Sequence, residues 1–307
     1  MALTTISDMA PQPATAALPR SARFALSFRM RERIAAILYY GTCFTLAFIF
    51  LFPIGWSALV SLYTPAESMA SPPVYWPSQL SLENYVRLAN YSHGIVHYLW
   101  NSSAVTVMTV GMTLVLATLG GYGFSRFRFP GRNLIFVVIL ATLMIPFQSI
   151  LTPLFILLRW LHLQDTLFGL ALVYTTFQLP FAVFMLRNAF DSVPREVEEA
   201  SLLDGCTPLR SLLRIQLALV RPGLVTAGLF AFFGAWNELL AALILIGDAR
   251  NFTLPVMLLN ARFGHMGAMN WGLLQAGITI SILPCALLFL LLQRYYMRGL
   301  IAGAVKA

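Results

Sequence analysis

Charged positions along this chain are bunched, and long runs without any charge separate the bunches. Uncharged runs cover 33 residues between Arg33 and Glu67, 38 between Arg87 and Arg126, and 26 between Arg132 and Arg159. Two more cover 21 residues between Asp165 and Arg187 and 31 between Arg262 and Arg294. A sixth stretch, 222–247, carries Glu238 as its one charge. A helix needs roughly 20 apolar residues to cross about 30 Å of hydrocarbon, so each run accommodates one crossing and none accommodates two with a turn. The pattern predicts six spans, near 35–62, 101–124, 134–157, 167–188, 222–246 and 271–294.

Composition agrees with that pattern. Of 307 residues, 59% are hydrophobic and 10% charged, where a soluble domain carries about 25% charged residues. A soluble enzyme is thereby excluded, and the fold class is all-α, a polytopic membrane protein. The first run follows a polar segment of about 30 residues and is far longer than the apolar region of a signal peptide, so it is a retained membrane helix.

Basic residues fix an expected orientation, because Arg and Lys are retained on the cytoplasmic side. Arg20, Arg23, Arg29, Arg31 and Arg33 precede the first span, Arg126, Arg128 and Arg132 follow the second, and Arg187, Arg195, Arg210, Arg214 and Arg221 follow the fourth. With Arg294, Arg298 and Lys306 these make 16 on one side, against Arg87, Arg159, Arg250 and Arg262 on the other. Both termini are expected in the cytoplasm, with residues 1–34 as a basic cytoplasmic tail and 35–307 as the six-helix transmembrane domain. Topology accounts for the net charge of +8, and no nucleic-acid partner is implied. Residues 18–34 alternate Arg with Phe, Leu and Met, which suits either a segment lying on the anionic inner leaflet or a plain basic tail.

The chemistry that the chain lacks narrows its function. Cys43 and Cys285 fall in spans and Cys206 in a cytoplasmic loop, so no disulfide or zinc site is indicated. His93 and His97 have an i, i+4 spacing but no acidic or cysteine partner nearby, which favours a solvated loop over a metal site. Lys306 is the one lysine, so no phosphate-cradling G-x-x-x-x-G-K-[ST] loop exists and ATP must be bound elsewhere if it is used. Glu238 is the single carboxylate within the spans, beside Asn237, whereas an ion-coupled carrier usually buries several ionisable groups. A membrane enzyme would need a nucleophile or metal constellation in the spans, and none is present.

The longest cytoplasmic loop, 189–221, reads AFDSVPREVEEASLLDGCTPLRSLLRIQLALVR. Ser192 is expected to cap a helix with Pro194 in its first turn, Asp204-Gly205 to end it, and Thr207-Pro208 to start a second. The first helix places Glu196, Glu199 and Leu203 on one face, and the second offers Leu209, Leu212, Leu213, Ile215 and Leu217. Periodicity alone leaves two readings open: a docking surface, or an amphipathic loop packed on the base of the bundle.

Glu199-Ala200-Ser201-Leu202-Leu203-Asp204-Gly205, followed by Ile215 and Leu217, resembles the E-A-A-x-x-D-G-x(9)-I-x-L-P loop of permease subunits of ATP-binding-cassette importers. The likeness spans 35–307 and includes Asn101-Ser102, FSRFRFPGR (124–132), Pro146, Pro153, Asp165-Thr166 and Leu179-Pro180. AWNELLAALIL (235–245) and RYYMRGLIAGAVK (294–306) resemble the carbohydrate branch. Ser201 stands where a second Ala is usual and stays small. Ala218 stands where Pro is usual, so the second loop helix is expected to run on toward Pro222.

The resemblance implies the importer permease fold, six transmembrane helices with a cytoplasmic helix-turn-helix coupling loop, in the bacterial inner membrane. It implies a second permease subunit, two cytoplasmic ATP-binding subunits that hold ATP and Mg, and an extracytoplasmic binding protein that delivers a sugar. No cofactor is expected on this chain. Glu199, Ala200, Ser201, Asp204 and Gly205 would dock the ATPase, Glu199 against a basic group and Gly205 at the tight turn. The family reaches into the binding protein with the loop 247–270. A glycerol-phosphate or other polyol permease is the alternative within the class, although no Lys or Arg falls clearly inside a span to meet an anion. Polar groups in the spans are the pathway candidates: Gln148, Tyr174, Gln178, Asn237, Glu238, Gln275 and Thr279, with Trp236 and Tyr174 as aromatic faces for a sugar ring. Interhelical hydrogen bonding is the competing role for each.

Overall fold

The computed structural model describes residues 20–262 and 269–304, with side chains over 30–262 and 269–293. Those residues form helices joined by turns and loops, with no β-strand among them. They fall into two units, 1–56 and 57–307.

The first unit is the bulk of one helix, α1 (Arg20–Ser61). Its side chains from Met30 to Phe52 are almost all exposed, including Ile37, Leu38, Phe44 and Phe50. An apolar helix with that much bare surface is stable only in hydrocarbon or against other protein. Phe48, Phe52 and Trp56 form an aromatic ladder along it.

The second unit contains the short helices α2 (Pro65–Ser68) and α3 (Glu83–Ala89), then α4 (Ile95–Arg126). It continues through α5 (Arg132–Ala141), α6 (Phe147–Trp160), α7 (Leu167–Asp191), α8 (Arg195–Leu203) and α9 (Pro208–Ser211). A π-helical turn, Leu212–Gln216, leads to α10 (Leu217–Leu219). Then follow α11 (Arg221–Trp236), α12 (Leu240–Leu245), α13 (Leu254–Ala261) and α14 (Trp271–Ala304). Helices α4 and α7 run side by side with α11 against both. Gly121 lets the first pair approach closely, since a Cβ there would lie 2.9 Å from the Arg187 nitrogen and Leu186 Cβ. At the end of α4 that carries Arg126, buried Tyr122, Phe136, Leu186, Phe190, Leu212 and Val220 join α4, α5 and α7 to the 189–221 loop.

Four helices are long and apolar enough to cross a membrane: 30–61, 95–126, 167–191 and 271–293. The other two expected spans are not straight rods. Between Met144 and Phe147 the third turns through 102°, where Ile145 adopts an extended conformation before Pro146. Proline lacks the N–H that would continue the helix and disfavours helical geometry in the residue before it. The fifth is broken between Trp236 and Leu240. The chain also bends by 82° where 208–219 meets 221–236. The second loop helix does not run on to Pro222 as expected: it passes Ala218 by one residue, ends at Leu219, and the chain turns at Val220.

Candidate functional site

The 189–221 loop is built by local chemistry. Helix α7 persists to Asp191, so Ser192 closes that helix, donating to the Ala189 carbonyl at 2.7 Å, and Pro194 takes the N-cap place of α8. The expected Ser192 cap is therefore displaced by two residues. Asp204 ends α8, Gly205 follows at φ +83°, and Thr207 caps α9 by accepting from the Arg210 N–H at 3.3 Å, with Pro208 in the first turn. A left-handed residue at such a reversal favours glycine because a Cβ clashes with the neighbouring carbonyl. Space around Gly205 is open, so the backbone alone sets that requirement.

The loop's two sides differ in kind. Ser201, Ser211, Leu212 and Gln216 are buried inward. Facing outward are Glu199, Ala200, Asp204, Gly205 and three leucines, Leu203 at 89% exposure and Leu209 and Leu213 at 58% each. Glu198, next to Glu199, turns inward, where it accepts from Tyr122 Oη at 2.5 Å and pairs with Arg126.

In the broken fifth span Asn237, Glu238 and Leu239 leave the helix, and Glu238 repairs the break. Its Oε1 accepts from the Leu240 and Ala241 N–H groups at 2.9 and 3.1 Å, and Oε2 from Ala241 and Ala242 at 3.0 and 3.3 Å. Tyr174 donates to Oε2 at 2.9 Å. A carboxylate on the free N–H groups and positive dipole end of α12 satisfies donors that hydrocarbon would otherwise strand. Phe147, Tyr174, Phe177, Gln178, Gly234 and Glu238 line a cavity of about 180 Å³ beside the break.

The structure thus brings together three pathway candidates, Tyr174, Gln178 and Glu238, with two phenylalanines that sequence reasoning passed over. Gln148 is exposed on α6 outside this lining, and exposed Asn237 donates back to the Phe233 carbonyl at 3.0 Å. Trp236 is buried, donates to the Ser281 carbonyl at 3.1 Å and stacks on Phe232. Gln275 accepts from Ser57 at 2.6 Å, and Thr279 donates to the Gln275 carbonyl at 2.8 Å. These last contacts are packing contacts between and within helices.

At the opposite end of α4, Asp165 accepts from the Gly247 and Asp248 N–H groups at 3.0 and 3.1 Å, fastening the start of α7 to the chain beyond α12. Asn101 donates to the Arg250 and Phe252 carbonyls at 2.8 and 3.0 Å, and Ser102 accepts from Leu254 at 2.8 Å. Hydrogen bonds from Arg250 hold the half-buried Asp248 carboxyl down at about 2. His97 Nε2 meets the Arg250 carbonyl at 2.6 Å, and among the described residues no group of three His, Cys, Asp or Glu side chains could hold a metal. Of the loop 247–270, residues 263–268 lie outside the described residues.

A family model described as binding-protein-dependent transport system inner membrane component matches residues 113–301. The chain is 35% identical over 274 residues to a probable ABC transporter permease protein, YurM, of Bacillus subtilis, covering 87% of this chain and 90% of that one. It is 33% identical over 279 residues to the trehalose/maltose transport system permease protein MalG of Thermococcus litoralis, covering 90% and 99%. Its fold is similar to a chain in the crystal structure of a bacterial ABC transporter involved in the import of the acidic polysaccharide alginate. That likeness has a TM-score of 0.74 at 23% identity, over 87% of this chain and 98% of the other.

Proposed function

Because the chain belongs to the family of binding-protein-dependent transport system inner membrane components, we propose that it is the permease subunit of an ATP-driven sugar importer, forming half of the pathway beside a second permease. Two cytoplasmic subunits bind ATP and Mg, and one of them clasps the 189–221 loop. An extracytoplasmic binding protein delivers the sugar. Closure of the ATPases rotates the loop as a rigid body and switches the pathway from inward-open to outward-open. Both termini are cytoplasmic, and the chain crosses six times, with the bent 132–160 segment as the third crossing and the segment from Arg221 through α12 as the fifth.

The outward side of the loop carries this reading. A loop merely packed on the bundle base would turn its leucines inward, yet Leu203, Leu209 and Leu213 stand open around the Gly205 turn beside the exposed Glu199. Apolar side chains grouped on a solvated turn, with acids beside them, suit a partner offering an apolar cleft and a basic group. For the pathway, the cavity beside Glu238 offers the faces of Phe147 and Phe177 and the amide of Gln178 to a sugar ring. The trehalose/maltose relative favours a neutral saccharide, as does the shortage of cations in the spans.

The test is co-purification of the ATPase with the tagged chain, alongside uptake of labelled sugars. Gly205→Val and Glu199→Lys should leave the membrane level of the chain unchanged while abolishing ATPase association and uptake together. Full association and full uptake in both variants would return the loop to the role of an amphipathic lid.

A further inference from the structure

The loop is covalently continuous with α7 and α11 but not with α4, so any movement of the loop reaches α4 through side chains. Among the described residues one guanidinium makes three of those contacts. Arg126, whose side chain is 5% exposed, sets Nε 3.0 Å from Glu198 Oε2, an ion pair whose N–H is not aligned as a hydrogen bond. Its Nη2 donates to the Val193 carbonyl at 3.0 Å and reaches Gln216 Oε1 at 3.5 Å. A single side chain therefore touches the entry to the loop, its first helix and the π-helical turn of its second. Tyr122, one turn earlier on α4, holds the other Glu198 oxygen, and Ser125 donates to Asp191 at 2.6 Å.

Burying a charge pair is a poor route to stability, because desolvation offsets most of the attraction. What a buried pair with further hydrogen bonds does well is hold one geometry and no other. The neighbouring acids of α8 consequently face opposite ways: Glu199 is exposed, while the Glu198 side chain is 14% exposed and committed to α4. Resting on the reading of the loop as the ATPase-docking element, we propose that the Glu198–Arg126 pair, steadied by Tyr122, is the strut that passes loop movement to α4. Glu198 and Arg126 are positioning residues, distinct from the docking surface.

The experiment uses the complete importer in proteoliposomes with its binding protein, and measures ATPase co-purification, ATP hydrolysis and sugar moved per ATP. Glu198→Gln should keep ATPase association and hydrolysis while sugar moved per ATP falls about tenfold, the scale of couplings carried by such networks. Tyr122→Phe, which deletes a single hydroxyl and spares the fold, should lower the same ratio by about two- to threefold. Glu199→Lys runs alongside as the docking control and should lose ATPase association. An unchanged sugar-to-ATP ratio in Glu198→Gln, or in Tyr122→Phe where Glu198→Gln fails to accumulate, overturns the strut. Loss of ATPase association in Glu198→Gln equal to that of Glu199→Lys also overturns it, by making Glu198 part of the docking surface. Full association in Glu199→Lys, with uncoupling in Glu198→Gln, would instead retire the docking surface and leave the strut standing.

Discussion

Ser201 Oγ and Ser211 Oγ lie 2.6 Å apart, both buried, and join the two helices of the 189–221 loop. Ser201 donates its one hydroxyl hydrogen to the Glu198 carbonyl at 2.7 Å, so Ser211 is the donor across the helix pair. Ser201, one of two departures from the importer motif, thus has a partner that an alanine could not have. Ser201→Ala restores the usual residue, yet it strands the Ser211 hydroxyl at a cost of about 1–3 kcal/mol. The pair Ser201→Ala, Ser211→Ala should cost less than Ser201→Ala alone. Hydrogen exchange over 195–219 is the measurement, with roughly tenfold faster exchange expected in the single variant. Equal protection in Ser201→Ala and the parent would show that the two hydroxyls do not hold the loop together.

Topology is open to a direct check. The division of basic residues predicts that alkaline phosphatase fused after Asp248 is active and that a fusion after Lys306 is inactive. The reverse pattern at either site breaks the assignment.

Uncharged run lengths located the four long apolar helices, 30–61, 95–126, 167–191 and 271–293, because exclusion of charge from hydrocarbon acts on composition alone. Run length says nothing about straightness. Pro53, Pro153, Pro180 and Pro284 all sit inside unbroken helices, whereas Pro146 lies within a turn of 102°, so proline by itself does not announce a break. Neighbouring helices can re-satisfy the backbone groups that a proline frees. Turn chemistry at Gly205 and Thr207-Pro208 was legible because it is local. Arg126 was countable as a topological charge, but its contacts with Glu198 and Gln216 join residues far apart in the chain, and no spacing rule reaches them. Glu238 looked like a lone intramembrane acid, and its capping role became visible only with the break it repairs.

Outside the spans, Glu67 offers a pH-dependent prediction. It accepts from the Ser78 N–H and hydroxyl at 2.8 and 2.5 Å and closes a capping box with Thr64. These hydrogen bonds, chiefly that from the Ser78 hydroxyl, lower its pKa from 4.5 to about 2. A carboxyl depressed in the folded state stabilises it fully above the unfolded value and loses that contribution as pH falls through the folded value. The stability difference between the parent and Glu67→Gln should therefore be constant above 4.5 and close between 4.5 and about 2. Thermal unfolding across that range reads it, and a difference that persists unchanged at the acid end would refute the assignment.

The carboxylate of Glu238 could serve ion coupling or structure. Its oxygens already meet three backbone N–H groups of α12 and the Tyr174 hydroxyl. Those oxygens are committed to backbone donors that the break leaves without another partner in the helix, which is a structural role. Glu238→Gln keeps one acceptor oxygen but turns an amide NH2 toward backbone donors, which should cost about 1–3 kcal/mol, seen as a lower unfolding temperature in detergent. Tyr174→Phe removes one donor and leaves the carboxylate on α12, so its cost should be smaller. Uptake in Glu238→Gln vesicles should still require ATP and should fall with the fraction of folded complex. If ATP-depleted vesicles instead take up sugar under an imposed proton gradient, and Glu238→Gln abolishes that uptake, the acid is a proton site and the chain works as a carrier.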